Sequence, residues 1–171
     1  MTQRQVFSPL VLRAQALVCG RGGIALHAPL DFSVAPGECL LLRGPNGTGK
    51  TTLLLVLAGV VRPLVGGFAL EDAGEEPVLH YCGHRNAIKG RLSVGENLRF
   101  WRTLNGATGD AVGDALERVG LGALEGLDAG YLSAGQGRRL ALARLLVSRR
   151  PLWLLDEPTA ALDSDGHALV G

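Results

Sequence analysis

Apolar residues come along this chain in short bursts, and the spacing inside each burst changes from one segment to the next. Over residues 10–18 and again over Leu30–Val34 they alternate with polar positions, the period of a strand with one buried face. The glycine-rich turn Gly20-Arg21-Gly22-Gly23 lies between, so the pair reads as antiparallel strands of a β-subdomain. Pro36-Gly37-Glu38 then turns the chain into a nearly continuous apolar run ending at Arg43, expected as a buried strand. A longer apolar run from Thr52 to Val61 predicts a helix, closed by Gly59 and broken by Pro63. Residues 66–70 and 78–81 predict two further short strands.

From about residue 85 the period becomes helical. Ser93-Val94-Gly95-Glu96 has the form of a capping box, and Leu98, Trp101 and Leu104 follow on one face. Asp110 is placed to cap a second helix, with Val112, Leu116 and Val119 on its buried side and Gly120 ending it. Arg138 to Leu146 predict an amphipathic helix with its basic residues on the exposed side, and Leu152–Leu155 a buried strand. The order is that of an α/β chain with an antiparallel β-subdomain and a small helical subdomain.

Composition narrows the partners. A chain of 171 residues is long enough for one domain with its own core. Its 17 Lys and Arg nearly cancel 16 Asp and Glu, so no global field favours nucleic acid, which is not expected as a partner. The strongest apolar stretch, Leu53 to Val61, stops at Arg62-Pro63, far short of the roughly 20 residues needed to cross a bilayer. The first residues have no apolar core of the kind a secretory signal carries, and the expectation is a cytosolic protein. Cys19, Cys39 and Cys82 are widely separated and form no CxxC pair, which predicts reduced, mostly buried thiols and neither a disulfide framework nor a zinc site.

The candidate chemistry begins with Gly44-Pro45-Asn46-Gly47-Thr48-Gly49-Lys50-Thr51, a complete Walker A pattern between a predicted strand and a predicted helix. Its glycines let successive backbone N–H groups turn inward as an anion cradle, and the helix adds the positive end of its dipole at the same place. Residues 44–52, through Thr52, are the candidate nucleotide-binding stretch. Lys50 is expected to reach the β- and γ-phosphates of ATP and the Thr51 hydroxyl to ligate Mg²⁺. Further on, four apolar residues deliver Asp156 and Glu157 to the end of a strand, a Walker B box. Asp156 is expected to hold the Mg²⁺ shell, and Glu157 to polarise the attacking water as the catalytic residue.

Leu132-Ser133-Ala134-Gly135-Gln136, standing just before the basic helix, resembles the signature loop of ATP-binding-cassette (ABC) ATPases, and Ala160-Ala161-Leu162-Asp163 resembles their D-loop. Walker A, signature, Walker B and D-loop occur in the family's order over residues 44 to 163. The resemblance implies a P-loop NTPase fold and a head-to-tail dimer with a second copy, in which Ser133, Gly135 and Gln136 contact the nucleotide held by the opposing Walker A loop. It implies one ABC ATPase domain over 1–171, with about 1–84 and 150–171 forming the core and β-subdomain, and about 85–149 the helical subdomain and signature helix.

Three features depart from the family's pattern. The turn that carries an adenine-stacking aromatic in most members is Cys19-Gly20-Arg21-Gly22 here, and Arg21 is the candidate substitute, through its guanidinium plane. The Gln that usually follows the strand at Tyr81 is replaced by His84 or Arg85. The family's switch histidine lies further from the Walker B Glu than His167 does, so the chain reads either as a fragment truncated at its C-terminal end, the favoured expectation, or as a cassette that binds ATP but turns it over poorly.

The stretches His80–Lys89 and Leu92–Trp101 are similar to those of the small ATPase subunits of the cytochrome c maturation system, a haem-export subgroup. That similarity implies a peripheral subunit on the cytoplasmic face of the inner membrane, working with integral membrane transporter subunits; the helical insert around residues 84–101 is the candidate docking surface. Direct haem binding is not predicted, because His27, His80, His84 and His167 lack a Cys-x-x-Cys-His context. The alternatives left open are another small exporter ATPase, for lipids or peptides, and a soluble ABC protein outside transport.

Overall fold

Residues 9–73 and 77–158 are described by a computed structural model; the D-loop segment Ala160–Asp163 and His167 lie outside the described residues. The chain divides into two units, one comprising residues 1–81 and 151–154, the other 82–150 and 155–171.

The first unit starts with β1 (Val11–Val18), β2 (Gly20–Arg21), β3 (Ile24–Ala25) and β4 (Leu30–Val34), followed by α1 (Lys50–Leu57) and β5 (Val65–Glu71). β1 is the centre of a three-stranded antiparallel sheet in the order β4-β1-β5, as the alternation predicts. Leu12 faces Val34 and Leu70, and Ala14 faces Phe32 and Phe68, so one side of the sheet is apolar. The register shifts between Ala14 and Leu17, where Ala16 has φ 45°, and this bulge breaks the alternation of buried positions: Leu12 and Ala14 are buried before it, and Leu17, Val18 and Cys19 after it. Gly66 faces the bulge with φ 67°, and a Cβ there would stand 2.2 Å from the Ala16 carbonyl oxygen, so only glycine fits. The β2–β3 hairpin closes through Gly22 and Gly23, both with positive φ, as a two-residue primed turn requires.

Two further strands, β6 (Leu79–Cys82) and β7 (Leu152–Leu155), pair with one another. Leu12, Leu17 and Cys19 of the sheet side, Leu53, Val56 and Leu57 of α1, and Leu154 of β7 make the core of this unit. Fully burying a leucine is worth about 1.5–3 kcal/mol, so this cluster, not the weak intrinsic stability of an eight-residue helix, holds α1.

The expected buried strand before the loop is not there. Residues 38–45 are irregular, and Leu40 and Leu41 are 45 % and 65 % exposed. An apolar run supplies side chains suited to a buried strand, but the ladder must come from a neighbour, and no described strand runs along it.

The second unit is helical: α2 (Val94–Asn105), α3 (Val112–Arg118) and α4 (Ala134–Val147), with single 3-10 turns at Gly122–Leu124 and Ala129–Tyr131. The Ser93 capping box forms as predicted, with Glu96 N–H donating to Ser93 Oγ and Ser93 N–H to the Glu96 carboxylate. Val94 and Leu98 of α2, Ala115, Leu116 and Val119 of α3, and Leu140, Ala143 and Val147 of α4 share one core. A second cluster, Cys82 with Ala141, Leu142 and Leu145, covers another side of α4.

Three helix predictions need correction. Leu104, in the last turn of α2, is 62 % exposed and is not part of the buried face. Asp110 does not cap α3, whose N-cap is Ala111 without a side-chain bond. Its carboxylate instead accepts from Arg118 and Arg149, two guanidiniums that outcompete the neutral helix amides for it. Finally, α4 is not amphipathic with basic residues outward: Arg138 and Arg144 are 3 % and 9 % exposed. Of the cysteines, Cys19 and Cys82 are buried as expected, and Cys39 is exposed. No helix among the described residues is long and apolar enough to cross a membrane.

Candidate functional site

In the first unit, residues 44–49 form a turn that runs straight into α1 at Lys50. Gly47 and Gly49 have φ 87° and 92°, values that keep the chain tightly turned with its amides together, and a Cβ on Gly49 would lie 3.0 Å from Leu26 Cβ. The helix begins with no side-chain cap and no acidic residue in its first turn. The first turn of α1 thus carries no acidic residue of its own against the positive end of the helix dipole, which is the electrostatic form of an anion cradle. Lys50 Nζ folds back over the loop and donates to the Gly44 and Pro45 carbonyls at 2.7 and 2.8 Å, and Thr48 Oγ1 donates to the Pro45 carbonyl at 2.9 Å. The lysine therefore holds the loop's shape and keeps its ammonium at the loop. Pro45, Asn46 and Thr51 are exposed, and Thr52 is half-buried in the first turn of α1. Arg21, the candidate base-stacking residue, is exposed on the small hairpin.

In the second unit, Ser133, Gly135 and Gln136 all sit at the start of α4. Gln136 N–H donates to Ser133 Oγ at 3.2 Å and Ser133 N–H to Gln136 Oε1 at 2.9 Å, a capping box that fixes the signature loop. A hydroxyl that accepts in a cap still has its own proton to donate, so the cap presents Ser133 as a donor beside the positive end of α4.

Asp156 and Glu157 follow β7. Asp156 is 5 % exposed, its N–H donates to the Cys82 carbonyl at 2.9 Å, and the His84 imidazole Nδ1 stands 4.0 Å from its carboxylate. Glu157 is exposed and has φ 49°, left-handed backbone that costs a non-glycine residue about 1–3 kcal/mol and persists only where its surroundings impose it. His84 and Arg85, the candidates for the Gln position, are both exposed, and of the two His84 is the one beside the acid pair's carboxylate.

The residues the periodicity misplaced are Arg138 and Arg144. Arg138 donates to the carbonyls of Asp156, Glu157, Pro158 and Gly83 and to Asn86 Oδ1. Arg144 donates to the Asn86 carbonyl, and its guanidinium lies 4.5 Å from the centre of the Trp101 ring. Burial pushes the Arg144 guanidinium below its ordinary value, and the neighbouring Cys82 opposes that shift. A signal was present in the sequence: Arg138 shares the i, i+3, i+4, i+7 stripe of Ala141, Leu142 and Leu145, and Arg144 that of Leu140 and Val147.

A glycine-turned loop at an uncapped helix start with a lysine folded over it defines a P-loop nucleotide-binding protein. Residues 28–160 match the family model described as ABC transporter, and the chain belongs to that family. It is 49 % identical over 162 residues to the cytochrome c biogenesis ATP-binding export protein CcmA of Mesorhizobium japonicum, covering 92 % of this chain and 81 % of that protein. It is 50 % identical over 165 residues to the protein of the same name in Rhodopseudomonas palustris, covering 94 % and 82 %. Among solved structures, an ATP-binding protein of Pyrococcus furiosus assigned to the ABC transporters superposes with a TM-score of 0.83 at 26 % identity, over 94 % of this chain and 82 % of that one. An ATP-bound bacterial Atm1-family ABC exporter shares the fold at TM-score 0.78 and 22 % identity, over 97 % of this chain and 32 % of that one. The fold is that of an ABC ATPase, as the resemblance implied.

Proposed function

We propose that this chain is the ATP-binding and ATP-hydrolysing subunit of an ABC transporter complex for haem export in cytochrome c-type biogenesis. The observation that carries this reading is the similarity to cytochrome c biogenesis ATP-binding export proteins along nearly the whole chain, together with the uncapped P-loop helix.

In this reading the amides of Gly44 to Thr52 cradle the phosphates, and Lys50 exchanges its two carbonyl acceptors for phosphate oxygens. Arg21 stacks on the adenine. The donor types fit Mg²⁺, a hard cation that takes oxygen ligands: the Thr51 hydroxyl and the buried Asp156 carboxylate. When bound, the ion neutralises charge on the β- and γ-phosphates. Glu157 accepts the proton of the attacking water, and its exposure suits a base that has to meet solvent. Ser133, Gly135 and Gln136 complete the site of a second copy in a head-to-tail dimer, where the Ser133 hydroxyl and the start of α4 donate to the γ-phosphate.

The subunit works peripherally on the cytoplasmic face of the inner membrane, bound to integral membrane subunits of the cytochrome c maturation system around residues 84–101. It binds neither haem nor nucleic acid itself. The test is a set of three measurements. Lys50→Ala is expected to abolish ATP binding, and Glu157→Gln to keep binding while ATP turnover falls by about two orders of magnitude or more. Affinity capture of the tagged full chain from solubilised membranes is expected to bring down haem-handling membrane subunits. An unrelated permease in that capture refutes the haem assignment, and equal turnover by Glu157→Gln and wild type removes Glu157 from catalysis.

A further inference from the structure

The guanidinium of Arg138 joins two segments of the second unit that carry functional residues. On one side its terminal NH2 group donates to the carbonyls of Asp156 at 2.6 Å and Glu157 at 3.0 Å, and Nε donates to that of Pro158 at 3.3 Å. On the other, its NH1 group donates to the Gly83 carbonyl at 2.7 Å and to Asn86 Oδ1 at 3.3 Å. All five N–H groups of the fork are used, and the side chain is 3 % exposed. The Cys82 sulfur is a further acceptor of the NH1 group at 3.8 Å, and no carboxylate is among these partners, so the buried charge is held chiefly by carbonyl dipoles.

Three consecutive carbonyls around Glu157 are thus fixed from one point. Glu157 needs such a constraint, because φ 49° is a backbone state a glutamate leaves readily when nothing enforces it. We propose that Arg138 is a positioning residue for ATP hydrolysis: it locks Glu157 in its left-handed conformation and ties that conformation to the segment 83–86. This rests on the ATPase reading of Glu157 given above. A displacement of residues 83–86 then reaches Glu157 through one rigid planar group rather than through the intervening chain. Lysine cannot replace it, since an ammonium has three donors around one atom and cannot span both sets of acceptors.

The experiment measures ATP turnover and nucleotide affinity of the full chain for wild type, Arg138→Lys, Glu157→Gln and the double variant, with amide hydrogen exchange over 83–86 and at Asp156 and Glu157. Arg138→Lys is expected to lower kcat about 10- to 100-fold, the scale of a catalytic group held out of place, with the Kd for ATP within about twofold. Exchange is expected to quicken in both segments while the amides of α2 and α3 stay protected. In the Glu157→Gln background the same substitution is expected to cost nothing further, since the residue acts through Glu157. An unchanged kcat, an equal loss in both backgrounds, or parallel losses in Kd and kcat overturns the proposal. Should Arg138→Lys not fold, Asn86→Ala removes one acceptor from the far side. A fall in kcat of a few-fold at constant Kd then supports the proposal, and no fall overturns it. Absence of turnover in wild type refutes the ATPase reading itself, and the proposal with it.

Discussion

Asn97 is the polar residue on which the start of the helical unit depends, and its substitutions separate two effects that are usually confounded. It is 2 % exposed, one turn into α2. Its Oδ1 accepts from Lys89 N–H at 2.9 Å, and its Nδ2 donates to the carbonyls of Lys89 at 3.0 Å, Ser93 at 3.0 Å and Leu92 at 3.3 Å. Each of those carbonyls has a second, backbone donor: Leu92 N–H for Lys89, Asn97 N–H for Ser93, and Ala129 N–H for Leu92. Asn97→Ala therefore strands one group only, the Lys89 N–H. Leaving one partly buried amide without its acceptor costs about 1–3 kcal/mol, so the variant is expected to lose about 2 kcal/mol. For a chain of this length that is a fall of about 4–8 °C in Tm.

Asn97→Asp keeps the acceptor for Lys89 N–H but turns a donor into a charged oxygen facing three carbonyls. A buried charge without a partner costs about 3–5 kcal/mol, so this nearly isosteric change is expected to be worse than deleting the side chain. The ionised form is the one penalised in the folded state. The gap between the two variants is therefore widest at neutral pH and narrows as the pH falls and the introduced carboxyl takes up a proton. Urea unfolding of both variants, followed by tryptophan fluorescence at pH 7 and pH 5, reads both effects. Equal stability of the two at pH 7 refutes the argument, because the amide's donors would then contribute nothing. A gap that does not change with pH would also refute it, by removing charge as the cause.

Gly66→Ala puts a Cβ 2.2 Å from the Ala16 carbonyl at φ 67°, whereas a Cβ on Gly67 meets nothing within 4 Å. The first is expected to cost about 3 kcal/mol or more and the second under about 1 kcal/mol, measured by thermal melting. Arg144→Met strands the Asn86 carbonyl but also relieves the burial penalty on the guanidinium, so it is expected to cost about 1–3 kcal/mol and to shift the tryptophan emission through Trp101. A loss above about 5 kcal/mol would show that the cation itself is required.

What was legible in this sequence was local. Ser93 with Glu96 and Ser133 with Gln136 satisfy one another's amides within a single turn, so four residues suffice to announce each helix. Gly47 to Lys50 carry their conformation and their chemistry in the same short stretch. Three of the misreadings hinge on a partner far along the chain. Residues 38–43 look like a strand because their side chains suit one, while strandhood is conferred by a neighbour's carbonyls and amides. Asp110 looks like a cap until Arg149, 39 positions on, claims its carboxylate. Arg138 looks like a solvated residue because arginine usually is one, and its burial is offset only by acceptors drawn from 82–86 and 156–158. The stripe it shares with Leu142 and Leu145 was nonetheless visible. A charged residue on an apolar stripe, in a helix that begins at a functional loop, is better read as a buried tie to other functional segments than as a break in the pattern.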